Sequence, residues 1–513
     1  MMMRGFLLLG VCVATIPVSA LADAPEAIGN DDMNLPPPPK GALVRVWPGQ
    51  DQGVVKPMHA ANNGPNFVKS AEGFHDWRFD DFRSLHVPMM RTHDARFLPE
   101  TPGRINDIPM IYRDFDADEN DPRSYDFAQT DMYLNTMRLA GTDIMYFLGT
   151  GCDFDGMSSD YAVSHNSDEP PPDPAKWARI CEHVIRHYNE GWGWTNEQIP
   201  FSNQFNITHW EIWNEADLDC DETYWSKGVR TWEGRRRYWN GTPERFFELF
   251  KVTATHLKRT FPHLKIGGPS LAGRLDWADR FLAFCQTNSV PLDFFSYHRY
   301  ADNVDSFVQK TRQVRALLVK NGFGDVPMYL NEWNWQRGWS GDVYRESVRR
   351  RGDRNNYRFA ASYAATMSAL QHEAVDMMMY YDMRVPCRYN GVFAADSEEP
   401  LKGYFAFYAW SRLYRLGREV KSDLSGETKA LTAIAAKGPD GALALLVTRC
   451  VESEDTFGRI PVHVAVAGRS LERARLHMTD ELDRYTEKEL QVRPDGTATF
   501  LLAPQAFAVI ELD

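Results

Sequence analysis

Residues 207–219 read ITHWEIWNEADLD, an apolar run that ends in Asn214 and Glu215. Residues 327–335 read PMYLNEWNW, a second apolar run, and it ends in Glu332. Each pattern predicts a buried strand with a carboxylate at its C-terminal end, where an α/β barrel collects reactive groups from separate strands. Two carboxylates in one pocket suit the cleavage of a glycosidic bond. One protonates the departing oxygen while the other, ionised, attacks the anomeric carbon, at a separation of about 5 Å when configuration is retained. Their surroundings must then set different proton affinities on the two groups. Asn214 offers an amide to a sugar hydroxyl, a contact that strengthens as charge develops.

Both glutamates need a scaffold that aims them at one point. Eight apolar strand-like runs lie near residues 54–59, 85–93, 142–148, 207–214, 264–267, 292–298, 327–332 and 375–382. Helical stretches alternate with them. Asp173-Pro174 is a cap followed by a first-turn proline, and Trp177, Ile180, Cys181, Val184, Ile185 and Tyr188 then recur every three or four residues. Similar patterns start at Thr242-Pro243 and cover 358–372 and 403–416. This alternation predicts a (β/α)8 TIM barrel over residues 50–416. Beyond it the period changes to two, with short strands near 431–436, 442–447, 460–466, 498–502 and 507–512. Turn signals at Gly438-Pro439-Asp440-Gly441 and Pro494-Asp495-Gly496 separate them. The class is α/β, with a C-terminal β-sandwich over 417–513. Residues 23–49 form an arm or linker, and Ala42–Trp47 is a candidate extra sandwich strand.

Composition limits the partners. The formal charge of −13 over 513 residues disfavours nucleic acid and anionic membrane, both of which reward basic patches. Neutral oligosaccharide or polysaccharide fits. Arg4, the apolar stretch Gly5–Val18 and small residues at Val18-Ser19-Ala20 or Ala20-Leu21-Ala22 read as a signal peptide over 1–22. The expected location is secreted or periplasmic. Six cysteines follow the leader (Cys152, Cys181, Cys220, Cys285, Cys387, Cys450) in spacings that match no metal site or disulfide framework. They read as mostly free thiols with at most one bridge. No metal or cofactor signature is expected: HExxH, clustered Cys/His and phosphate-cradling glycine loops do not occur. Oligomeric state is left open.

WEIWNEADL resembles the acid/base signature of clan A glycoside hydrolases, and of family 39 above all, which holds β-xylosidases and α-L-iduronidases. YLNEWNW resembles that family's nucleophile strand, SYHRY (296–300) its sixth strand, RTHDA (91–95) its second and YYDMR (380–384) its eighth. NGVFAAD and KGYFAFYAW resemble its closing barrel segment. The resemblance implies Glu215 as acid/base and Glu332 as nucleophile with net retention. It places His298 and Tyr300 near the nucleophile and sugar, His93 in the sugar pocket and Asp382 near the nonreducing sugar. This chain departs from the pattern at Ala216, where many relatives carry proline, and at Asp94, where xylosidases often carry glycine.

Several residues carry two readings. His59 and Asn63 line the pocket from strand one, or belong to a structural turn at Gly64-Pro65. Trp333, Trp335 and Trp339 after Glu332, and Tyr224, Trp225, Trp232, Tyr238 and Trp239 after Glu215, offer flat faces for sugar rings or pack the loops together. Trp333 is the one taken as substrate-binding. Glu211 lies two layers deeper than Glu215 and is expected to pair with a buried cation such as Arg91. The runs Arg235–Arg237 and Arg349–Arg351 read as solvated faces, attraction of an acidic sugar being the alternative. The activity expected is retaining, exo-acting glycoside hydrolysis. The alternatives are an endo-acting polysaccharide hydrolase, another clan A glycosidase such as an arabinofuranosidase or glucuronidase, and a carbohydrate-binding barrel without catalysis.

Overall fold

The computed structural model describes residues 40–65, 67–70, 73–76, 78–93, 105–149, 170–194, 205–218, 238–239, 241–339, 341–385, 389–451 and 458–512. The expected signal peptide, and the arm up to residue 39, lie outside them. Eight parallel strands close into a barrel in chain order: Ala60–Asn62, Met89–Arg91, Asp143–Leu148, His209–Ile212, Lys265–Leu271, Phe295–Ala301, Met328–Trp335 and Met377–Tyr380, the last pairing with the first. This is the TIM barrel the alternation predicts.

The helices between the strands start where their caps allow. The Asp173 side chain accepts from the Ala175 and Lys176 N–H groups, and Pro174 stands where no intrahelical donor is needed. Thr242 caps Pro243–Thr260 in the same way, accepting from Arg245 N–H. Their apolar stripes face inward, burying Ile180, Val184 and Tyr188 on one helix and Phe247, Phe250 and Leu257 on the other. Each such side chain contributes about 1.5–3 kcal/mol on burial. Among the described residues, no helix is long and apolar enough to cross a membrane. Cys181 and Cys285 are buried free thiols, while Cys152, Cys220 and Cys387 lie outside the described residues.

The barrel interior is layered. Ala60, Met89, Met145, Phe294, Tyr329 and Met379 form an apolar floor. Above it Asn62, Arg91, Glu211, Ser270, Ser296 and Asn331 form a buried polar layer. The strand ends above that layer carry the candidate chemistry.

A nine-stranded sheet packs beside the barrel. Leu443–Arg449 is buried at every position because both of its faces are covered. Leu445 joins Val44, Val464, Leu476 and Ile510 in the core inside the sheet, whereas Leu446 joins Phe507 and Val509 against the barrel. The N-terminal strand Ala42–Val54 enters this sheet, antiparallel to Arg418–Gly426 and parallel to Ile460–Val466. The run expected as the first barrel strand therefore divides. Val54, 57% exposed, ends the sheet strand, and the barrel begins at Ala60. Arg418–Gly426 and Arg484–Leu490 had no apolar alternation to reveal them. The latter, RYTEKEL, is a mostly exposed edge strand, and charge on an edge guards against pairing with other chains.

Candidate active site

Arg91, at the end of the second barrel strand, organises the site from below. It is fully buried, and all five of its N–H donors are used. Nε donates to Glu211 at 2.6 Å, Nη1 to Asn62 at 3.0 Å and Glu332 at 2.8 Å, and Nη2 to Asn214 and Ser270, each at 2.8 Å. Glu211 takes Arg91 as expected, and its other oxygen accepts from Asn331 at 2.7 Å and from the Ser296 hydroxyl. Arg91 thereby ties five strands together, and Ser296 on Glu211 adds a sixth.

Glu332 stands above this network. The pairing of its strand slips between Leu330 and Glu332 on one side and between Leu330 and Trp333 on the other. That bulge turns Asn331 and Glu332 both toward the axis, where simple alternation would turn only one. Tyr300 donates to Glu332 Oε2 at 2.8 Å, and His93 Nε2 lies 3.2 Å from Oε1. Burial pushes the Glu332 carboxyl up to about 7, and Glu215 adds to the rise, while His298, Arg91 and Tyr300 pull it down. Burial also raises the Tyr300 phenol well above its ordinary range, so it stays protonated and remains a donor.

Glu215 leaves the fourth strand through an unusual backbone. Trp213 and Glu215 have φ of 69° and 47°, and Ser270 opposite has 56°, a region non-glycine residues rarely enter. The Trp213 N–H donates to Leu148 O and the Glu215 N–H to Ser270 O, each at 3.0 Å. His298 Nδ1 then meets Glu215 Oε1 at 2.6 Å and Glu332 Oε2 at 3.4 Å, and its Nε2 meets the Ser270 hydroxyl at 2.7 Å. Burial depresses His298 to about 4, so the ring is neutral with one N–H. The network assigns that proton to Nδ1, facing carboxylate acceptors, with Nε2 accepting from Ser270. One oxygen of Glu215, one of Glu332 and one ring nitrogen of His298 all lie within 4.8 Å of one another.

Buried polar atoms are left over around the pair. Among the described residues Asn214 Nδ2 and Asp382 Oδ1 have no partner. Asp382 Oδ2 takes Arg384 at 2.6 Å and Asn63 at 3.5 Å, and the neighbouring Tyr381 ring lies 5.7 Å from His93. An orphaned donor and an orphaned acceptor around a carboxylate pair match the hydroxyls of a bound sugar.

Glu215, Glu332, Asn214, His93, His298 and Tyr300 are thus brought together, with Asp382 alongside. Two expected pocket residues are not. His59 precedes the inward-facing Ala60 and so points out between strand and helices, 3.1 Å from His86 O and 4.9 Å from the Tyr414 ring. Burial depresses it to about 3. Trp333 follows the bulge and also faces outward, packed edge-on against Tyr380 at 5.3 Å and Tyr363 at 5.8 Å. Trp239 is buried against Trp213, and Tyr224, Trp225, Trp232 and Asp94 lie outside the described residues. Trp339 is 56% exposed and meets Tyr300 edge-on at 4.8 Å. Missing from the expected set are Ser270 and Asp217. Asp217 is buried and accepts the Ala272, Gly273 and Arg274 N–H groups, pinning the turn after strand five. A short GGPS run and one aspartate among four acidic residues gave no local signal for either.

Residues 100–385, more than half of the chain, match the model of the family described as Glycosyl hydrolases family 39. The chain belongs to glycosyl hydrolase family 39. Within that family's reach, a β-xylosidase of Geobacillus stearothermophilus is 26% identical over 254 residues, which span 45% of this chain and 45% of that relative. Among solved structures, a glucosidase from Croceicoccus marinus superposes with a TM-score of 0.69 at 20% identity, covering 92% of this chain and 98% of the other. A family 39 enzyme from Xanthomonas axonopodis pv. citri gives 0.63 at 17% identity, covering 93% and 98%. At these identities the structural likenesses speak for the fold, barrel and sheet together.

Proposed function

We propose that this family 39 chain is a secreted, retaining, exo-acting glycosidase of the β-xylosidase type. The observation that carries the reading is the approach of Glu215 and Glu332 oxygens to within 4.8 Å, the short spacing of a double-displacement enzyme. The β-xylosidase named among its relatives supports the sugar class. In the first step Glu332 attacks the anomeric carbon and Glu215 gives its proton to the departing oxygen. A covalent glycosyl–Glu332 ester forms as the glycosidic bond breaks. In the second step Glu215 takes a proton from water, whose oxygen displaces Glu332. Glu332 has Arg91, Tyr300 and His93 around it to stabilise the departing carboxylate. Glu215 is the more exposed of the two, 12% against 5%, as a residue that must receive both leaving group and water requires. Asn214 Nδ2 is available to the 2-hydroxyl.

Glu215→Ala should cut kcat/KM on xylo-oligosaccharides by roughly 10²–10⁴-fold yet spare the first step on dinitrophenyl xyloside, whose leaving group needs no proton. Azide should then restore turnover and yield a β-glycosyl azide. An equal loss on all leaving groups would remove Glu215 from the acid role.

The acid limb of the pH profile reports the same pair. Glu332 must be ionised to attack, so kcat/KM should fall as pH drops through about 7. Tyr300 lowers the Glu332 value, so Tyr300→Phe should move that limb to higher pH. An unmoved limb, measured on an aryl glycoside, would detach Tyr300 from the nucleophile.

A further inference from the structure

The arginine run at 349–351 divides on folding. Arg349 and Arg350 lie on the exposed face of the helix Gly341–Arg351, each bonded to Glu346. Arg351, at the helix end, turns inward and has no exposed surface. Its Nη1 donates to Gln336 Oε1 at 2.8 Å and to the Trp335 carbonyl. Among the described residues its Nε and Nη2 have no partner. Among the described residues no carboxylate is within ion-pair distance of it. What surrounds it is tyrosine: its guanidinium carbon lies 4.2 Å from the centre of the Tyr389 ring. The Tyr389 hydroxyl is also buried and, among the described residues, without a partner.

Elsewhere this protein compensates a fully buried cation, as Arg91 shows with two carboxylates. An arginine stays charged in any protein environment, and a buried charge without a counter-charge costs far more than a missing hydrogen bond. The negative end of its own helix and the face of an aromatic ring offset part of that cost. A water molecule would fill a donor's vacancy and leave the charge. Complete burial excludes anything with a body outside the site, such as a polysaccharide uronate or a phospholipid. We propose that Arg351 holds a small monovalent anion of the halide class, chloride in ordinary solution, against Nε and Nη2 next to Tyr389.

The location gives the anion a task. Arg351 grips Trp335 and Gln336, the last residue of the strand that carries Glu332 and the first of the turn leading to Trp339. An anion that completes the arginine's surroundings secures that turn, and the effect should appear first as stability.

The full chain, exchanged into a gluconate buffer, is titrated with chloride and with bromide at constant ionic strength while its thermal midpoint is followed. A saturable rise of a few degrees is expected with either halide. Arg351→Met should abolish the response. Tyr389→Phe, which removes only a hydroxyl, should shift it to higher halide concentration. A crystal grown in bromide should show anomalous scattering within hydrogen-bond reach of Arg351. If Arg351→Met does not fold, the Tyr389→Phe titration and the bromide crystal decide. A wild type indifferent to halide, an equal response in the variants (a general salt effect only), or water at the site would each overturn the proposal.

Discussion

Glu332→Gln should abolish turnover while leaving the barrel folded, a fall in kcat of roughly 10⁴–10⁶-fold, the scale seen when one member of a covalent catalytic set is lost. Glutamine has the shape of the glutamate, and its one carbonyl oxygen keeps the bond from either Arg91 or Tyr300, which reach opposite oxygens of the carboxylate, but it cannot form the ester. The same variant tests the electrostatics. Burial raises the Glu332 carboxyl from 4.5 to about 7. Between those values the folded chain keeps a proton that the unfolded chain has released. Folding stability contributed by this group therefore falls as pH rises across the window. The variant has no such group, so its stability relative to wild type should grow from pH 5 to pH 8, read by chemical denaturation at both. Near-normal turnover would exclude Glu332 as nucleophile. A stability difference independent of pH would mean that the donors around the carboxylate outweigh its burial.

Arg91→Met should cost stability and activity together. The substitution keeps an unbranched side chain of similar length and removes the cation bonded to both Glu211 and Glu332. Breaking a buried ion pair from one side costs about 3–5 kcal/mol, because the remaining charge is left uncompensated. Glu332 loses a neighbour that lowers its proton affinity, so the acid limb of the rate profile should move to higher pH in any residual activity. Arg91→Lys is the sharper control. An ammonium has three donors from a single atom and cannot meet five acceptors spread over a planar fork. It should recover part of the stability and little of the rate. A lysine variant with wild-type kinetics would show that Arg91 supplies charge alone and does not position Glu332.

Much of the scaffold was legible because its signals are local. The helix caps at Asp173 and Thr242 act within four residues, and the stripe from Trp177 to Tyr188 is a property of one helix. The strand Ile460–Val466 matches its expected limits because its apolar pattern is independent of its neighbours. Elements whose identity depends on a partner were not legible. Arg418–Gly426 is a strand because Ala42–Val54 lies beside it, and no pattern within REVKSDLSG announces that.

The sequence by itself determined the candidate groups. Asn214, Glu215 and Glu332 sit at the ends of apolar runs, and barrel closure brings those ends to one rim. Only the tertiary structure decided which neighbours join them. A single extra residue in a strand reverses the face of everything after it, so the bulge before Glu332 sends Trp333 outward and the late start of the first strand does the same to His59. Charge compensation is likewise a sum over many strands: Arg91 finds five acceptors, and Arg351 finds no carboxylate among the described residues. Side-chain direction and electrostatic balance depend on atoms distant along the chain, and they exist only once the barrel has closed around them.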